Sequence, residues 1–197
     1  MRIAIVLAAG LLMSGCAATT RTWPVEVTRF HVDEVGRGTI AIVPDEGASD
    51  GPEFRTYANA VGDALTVQGY TVVPSATNAA YVARVGIAID KRTRRGPAPF
   101  SIGLGGGSYS GGRGGGVGIG GGVGIPIGKG KLLEQVATTL SVKINTRDGN
   151  QGVWEGRAQN QIERPAGTGD ATVTAPKLAT ALFTGFPGES GRTIEVK

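Results

Sequence analysis

Cysteine and histidine are almost missing from this chain of 197 residues, which has one of each, Cys16 and His31. That scarcity excludes the usual zinc and other metal clusters, which need three or four nitrogen or sulfur ligands. It also excludes a disulfide within the chain. Missing too is an apolar run able to cross a bilayer, since Ile3 to Leu12 falls well short of the roughly 20 residues a spanning helix needs. There is no Gly-x-Ser-x-Gly elbow, no paired histidine and carboxylate motif, and no dinucleotide-binding turn placed after a strand. The sequence therefore predicts no enzyme and no cofactor. Charge of one sign is only in mild excess, 20 basic residues against 16 acidic, too little to point to nucleic acid.

What the N-terminus does have is Leu12-Met13-Ser14-Gly15-Cys16, which reads as a lipobox. Arg2 and the apolar run Ile3 to Leu12 precede it, with the length of a signal-peptide core. Small residues directly before the only cysteine suit the cleaving peptidase, and the freed thiol can then take diacylglycerol as a thioether. Met13 departs from the commoner leucine. This reading divides the chain into a signal peptide (1–15), a lipidated tether (16–24) and a single domain (25–197) that contains a glycine-rich insertion (101–130). Ala17 follows the cysteine where aspartate is absent, a pattern resembling the signal for transfer to the outer membrane. Removal of the first fifteen residues leaves 182, enough for one domain with a real core.

From Val25 to Val32 the residues favour strand, and the apolar phase passes from Val25 and Val27 to Phe30 and Val32, which predicts a bulge. His31 then reads as a surface or edge histidine. Thr39 to Val43 is a short buried strand closed by Pro44. Asp50-Gly51-Pro52-Glu53 predicts a capped helix start, with Phe54, Tyr57, Ala58, Val61, Leu65 and Gln68 at helical spacing and Gly69 as the stop. Tyr70 to Val73 is another strand. Tyr81, Ala83, Val85, Ile87 and Ile89 then alternate with a mixed face, and Val136, Leu140, Val142 and Ile144 form the expected partner strand. Asp148-Gly149 signals a hairpin into a third long strand, Val153 to Ile162, with Trp154, Gly156, Ala158 and Ile162 on its packed face. Thr174 is expected to cap a second helix with Pro176 in its first turn and a stripe of Leu178, Leu182 and Phe186. Thr193 to Val196 is the last strand. The order predicts an α+β fold, a mixed and mostly antiparallel sheet covered by two helices, with a glycine-rich hairpin extension.

That extension holds 16 glycines between Gly103 and Gly130, with the repeat Gly114 to Ile119 copied at Gly120 to Ile125. Each glycine costs about 1 kcal/mol relative to alanine inside a helix, so the segment is expected to be loop or loose hairpin. Val117, Ile119, Val123, Ile125 and Ile127 nonetheless carry a strand period, which invites pairing with another chain or insertion in lipid. Lys91, Arg92, Arg94 and Arg95 precede it and Lys129 and Lys131 follow, meeting at the hairpin's base if the flanking strands pair. They are either a solubilising collar or a contact for anionic head groups or polysaccharide. Asp45 and Glu46 lie near a strand end where an acid and base could work, or are simply a solvated loop.

Val27-Thr28-Arg29-Phe30, Leu65 through Tyr70, Val153-Trp154-Glu155-Gly156 and Phe186-Pro187-Gly188 together resemble the Gram-negative lipoproteins of domain-of-unknown-function family 4136. The resemblance implies an envelope lipoprotein with an α+β domain and no assigned activity, and with Ala17 the expected place is the outer membrane, facing the periplasm. Its partners would be the membrane, through the lipid anchor, and an envelope protein or a second copy of itself. Two other readings stand beside this non-enzymatic one. The domain looks broadly similar to periplasmic parts of curli-type secretion lipoproteins, which implies an oligomeric pore component inserting its glycine-rich hairpin. The third reading is an envelope hydrolase.

Overall fold

Short β-branched runs broken by glycine and proline set the order of elements. The computed structural model describes residues 20–96, 100–104, 123–127, 130–168 and 171–197. In chain order these form β1 (Arg21–Thr22), β2 (Val25–His31), β3 (Thr39–Pro44), α1 (Pro52–Val67), β4 (Thr71–Val72), a 3-10 turn (Ala76–Asn78), β5 (Tyr81–Arg95), β6 (Phe100–Leu104), β7 (Val123–Ile127), β8 (Leu132–Thr146), β9 (Gly152–Pro165), α2 (Ala171–Phe183) and β10 (Thr193–Val196). Among the described residues eight strands make one sheet, in the order β10-β2-β9-β8-β5-β3-β4, with β1 added alongside β9. β3 runs parallel to β4 and β5, and the other pairs are antiparallel. The fold class is thus the α+β arrangement expected from the sequence.

Alternation decides which face is buried. Ala83 and Val85 of β5, Leu140, Val142 and Ile144 of β8, and Trp154 and Ala158 of β9 share the face that both helices cover. Tyr57, Val61 and Leu65 from α1 and Leu178, Leu182 and Phe183 from α2 close the core from above. α1 stops at Gly69, whose φ of +89° is a left-handed conformation that favours glycine. The Asp148-Gly149 turn delivers β8 into β9 as predicted.

Three local readings are corrected. β2 has no bulge: its register with β9 runs unbroken from Glu26 opposite Gln159 to His31 opposite Trp154. Arg29 follows Val25 and Val27 inward, because its guanidinium finds carbonyl partners on α2, and Phe30 is left 53% exposed. Asp50 does not cap α1. Its carboxylate takes the Arg55 Nε at 3.0 Å, and Gly51 holds the cap position without a side-chain bond. α2 starts at Ala171, so Thr174 and Pro176 lie inside it. Burial of Ala175, Leu178, Ala179 and Leu182 along one stripe offsets the interior proline.

The lipobox and signal peptide lie outside the described residues, as does most of the glycine segment. Within that segment β6 and β7 pair as an antiparallel hairpin, with Phe100 opposite Ile127, Ile102 opposite Ile125 and Leu104 opposite Val123. The strand period read at Val123, Ile125 and Ile127 is real, and Val117 and Ile119 lie outside the described residues.

Candidate functional site

β5, β8 and β9 are much longer than their neighbours, and their far ends project beyond the part of β5 that β3 pairs, Tyr81 to Val85. The chain enters the sheet at this same end. β1 pairs with β9, Arg21 opposite Glu163 and Thr22 opposite Ile162, and the Trp23 amide donates to the Gln161 carbonyl at 3.1 Å. The segment read as a tether is therefore already paired into the sheet at Arg21–Thr22. The glycine hairpin leaves from this end too, since Arg95 faces Leu132 and the Gly96 amide donates to the Lys131 carbonyl at 2.8 Å.

Cations concentrate here, and β-pairing sorts them. Arg94 Nε donates to Glu163 Oε2 at 2.9 Å across β8, Arg92 Nη2 pairs with Asp90 at 3.1 Å, and Arg164 pairs with Glu134 at 3.2 Å. Of the predicted contact residues, Arg92 and Arg94 are thus occupied within the sheet, whereas Lys91, Arg95 and Lys131 are exposed with no ion-pair partner among the described residues. Lys129 lies outside the described residues. Arg21 and Arg164 escaped the sequence reading, and only the register of β1 and β8 on β9 brings them in. Arg21 stands 5.2 Å over the Trp23 ring, a cation–π contact that leaves its charge available. Among the described residues this end carries seven cations against three anions (Asp90, Glu134 and Glu163), a surplus of four.

Asp45 and Glu46 lie elsewhere, beside the uncovered face of the sheet. A cleft of about 610 Å³ opens there between Asp45 to Ala48 and the strand residues Gly86, Thr139, Ser141 and Arg157. Asp45 sits 3.5 Å from the Lys143 ammonium and accepts the Glu46 amide at 3.0 Å. Ser141 Oγ donates to the Gly86 carbonyl at 3.3 Å, so its partner is no base. The His31 ring is engaged by the backbone, its nitrogens lying 2.7 Å from the Val32 carbonyl and 3.1 Å from that of Gly188. Among the described residues no three histidine, cysteine or carboxylate side chains stand together as a metal site, and no helix is long and apolar enough to cross a membrane.

The motifs that carried the resemblance sit at the opposite end, and they hold the fold. Trp154 stacks on Phe183 at 5.2 Å between ring centres and donates its indole N–H to the Pro187 carbonyl at 3.0 Å. Phe186 lies between Trp154 and Tyr70, with the Arg37 guanidinium 4.6 Å over its ring. Burial pushes the Tyr70 phenol up, against the opposing pull of Arg37. Its hydroxyl donates to the Gly36 carbonyl at 2.8 Å.

The model of the domain of unknown function DUF4136 matches residues 22–188. An uncharacterized protein of Zymomonas mobilis, ZMO1243, is 30% identical over 89% of this chain and 81% of its own length. Among solved structures, a PDZ domain protein from Parabacteroides distasonis aligns over 90% of this chain at 12% identity and a TM-score of 0.45, and the chain spans 39% of that protein. A PelC dodecamer from Paraburkholderia phytofirmans aligns over 85% of this chain and 96% of its own at 10% identity and a TM-score of 0.39.

Proposed function

Since this chain belongs to the DUF4136 family, we propose that it is an envelope lipoprotein, acylated at Cys16, which works through contacts and not through catalysis. In this reading the anchor is in the outer membrane and the domain faces the periplasm. What supports it is the position of β1: the residues that follow Cys16 join the sheet at the end that also carries the free cations and the glycine hairpin. Lipid, tether and charge are then gathered at one end. The Asp45 cleft supports catalysis less well, since its carboxylate is engaged by Lys143 and the Glu46 amide.

Two or three acyl chains give stable attachment where one is marginal, at about 0.8 kcal/mol per buried methylene. Cys16→Ser is accordingly expected to leave an uncleaved precursor missing from the outer-membrane fraction. Precursor size on gels and density-gradient fractionation check it; normal maturation of the variant sinks the lipobox.

The antiparallel pairing of β6 and β7 favours a second reading, an oligomeric component that buries its hairpins against one another or in lipid, because the segment read with a strand period is paired as strand. A spanning strand needs about 9 to 11 residues, and each described hairpin strand has five. The two readings separate by size. The contact reading predicts a detergent-extracted particle of one or two copies, and the pore reading a large ring.

A further inference from the structure

Building on the proposed anchor at Cys16, we propose that the tether-side end of the sheet docks end-on onto anionic phospholipid head groups. The unpaired cations ring this end. Lys91 and Arg95 share the helix-covered face of β5 with Ala83 and Val85, whereas Arg21 is opposite Glu163 on the other face, and Lys131 directly precedes β8. A peptide lying along the sheet would meet one face of this ring. A charged plane approached end-on meets both.

Apolar surface accompanies the charge. Leu132, opposite Arg95 at the strand end, is 52% exposed. Exposed aliphatic side chains among lysine and arginine are what a membrane interface accepts, the chains entering the head-group boundary while the cations meet phosphate. The tether makes such contact obligatory in distance and cooperative in energy. From Cys16 to Arg21 the chain spans five residues, at most about 17 Å when fully extended, roughly two Debye lengths at physiological salt. The anchor thus brings the ring to the edge of the surface field, and each cation entering the field strengthens the contact by about fivefold.

Lysine footprinting of the full-length lipidated protein on vesicles tests the proposal. Phosphatidylcholine vesicles are compared with vesicles containing about 30 mol% phosphatidylglycerol, a strongly anionic surface. Amine acetylation of Lys91 and Lys131 is expected to slow by about fivefold on the anionic vesicles and to recover in about 0.5 M salt, where the Debye length falls to about 4 Å. Lys143, near the opposite end of β8, should label alike on both. Arg21→Glu combined with Arg95→Glu is expected to abolish the difference. Should that variant misfold, the salt dependence of the unaltered protein decides alone. Equal labelling of Lys91 and Lys131 on the two vesicle types, in protein that floats with the vesicles, overturns the docking and leaves the anchor standing. Protein that fails to float with either vesicle overturns both.

Discussion

Trp154→Ala is expected to lower the stability of the domain by roughly 3 to 5 kcal/mol, the range for emptying a packed aromatic site. The ring is 2% exposed, stacked on Phe183 and tilted against Phe186 at 5.2 Å. Its slot is made by a glycine. Gly156 is two residues along on the same face of β9, and a Cβ there would overlap the indole and stand 2.9 Å from Leu182 Cδ1. Because Phe183 ends α2 and Phe186 is held by Tyr70 and Arg37, the walls of the slot are fixed from outside and collapse little when the ring is removed. Trp154→Phe separates packing from polarity: it keeps an aromatic ring and loses the bond to the Pro187 carbonyl, for an expected cost of about 1 to 2 kcal/mol. Denaturant unfolding of each variant, followed by far-ultraviolet circular dichroism, measures both. A loss below about 1 kcal/mol for the alanine variant contradicts this account of the core.

Element types were legible because they rest on period and punctuation. Tyr81 through Ile89 alternate strictly, and Val136, Leu140, Val142 and Ile144 keep the same period across Thr138, so their pairing followed without knowledge of the register. Phe54, Tyr57, Val61 and Leu65 likewise specified the buried stripe of α1. The misses come from side chains whose partners the local pattern does not name, far along the chain for Arg29 and five residues away for Asp50. Arg29 breaks the apolar phase of β2, and the sequence pattern shifted to Phe30 as the next apolar residue. Its true partners, the carbonyls of Ala181 and Leu182, lie more than 150 residues away. Asp50 was read as a cap because capping is local, yet Arg55 reaches it first.

The candidate surface shows the same division. Lys91, Arg95 and Lys131 were visible as a basic run on either side of a glycine segment. Their separation from Arg92 and Arg94 was not, because it depends on which side chains Asp90, on the same strand, and Glu163, brought in by β9, reach. Arg21 joins the ring only through β1, a two-residue strand with no periodic signal of its own. The most recognisable motifs gave no help, since Trp154, Phe186 and Gly188 hold together the end remote from the tether. A family can be recognised by what folds it while what it contacts lies elsewhere.

Arg29 supplies the sharpest test of that division. Its side chain is almost wholly buried, and it faces no carboxylate among the described residues. Instead Nε donates to the Leu182 carbonyl and Nη2 to that of Ala181, each at 2.9 Å, closing the last turn of α2 with a cation where the helix dipole is negative. Burial pulls its pKa below the ordinary arginine value, the mark of a charge taken out of water. Gly188, with φ of +88°, lets the following turn lie against it, since a Cβ there would stand 2.6 Å from Nη1. Arg29→Met keeps much of the volume and removes both bonds, leaving two buried carbonyls unsatisfied at about 1.5 kcal/mol or more each, so a loss of about 3 kcal/mol is expected. Arg29→Lys keeps the charge but lacks the planar fork that reaches both oxygens, and should lose about half as much. Hydrogen exchange adds the local readout: the Thr184, Phe186 and Gly191 amides, which bond to Thr180, Phe183 and Arg29 carbonyls, should open faster in both variants, ahead of the amides of β8. Unchanged stability in Arg29→Met would mean that apolar packing alone closes the end of α2, and equal losses in the two variants would assign the effect to the fork and not to the charge.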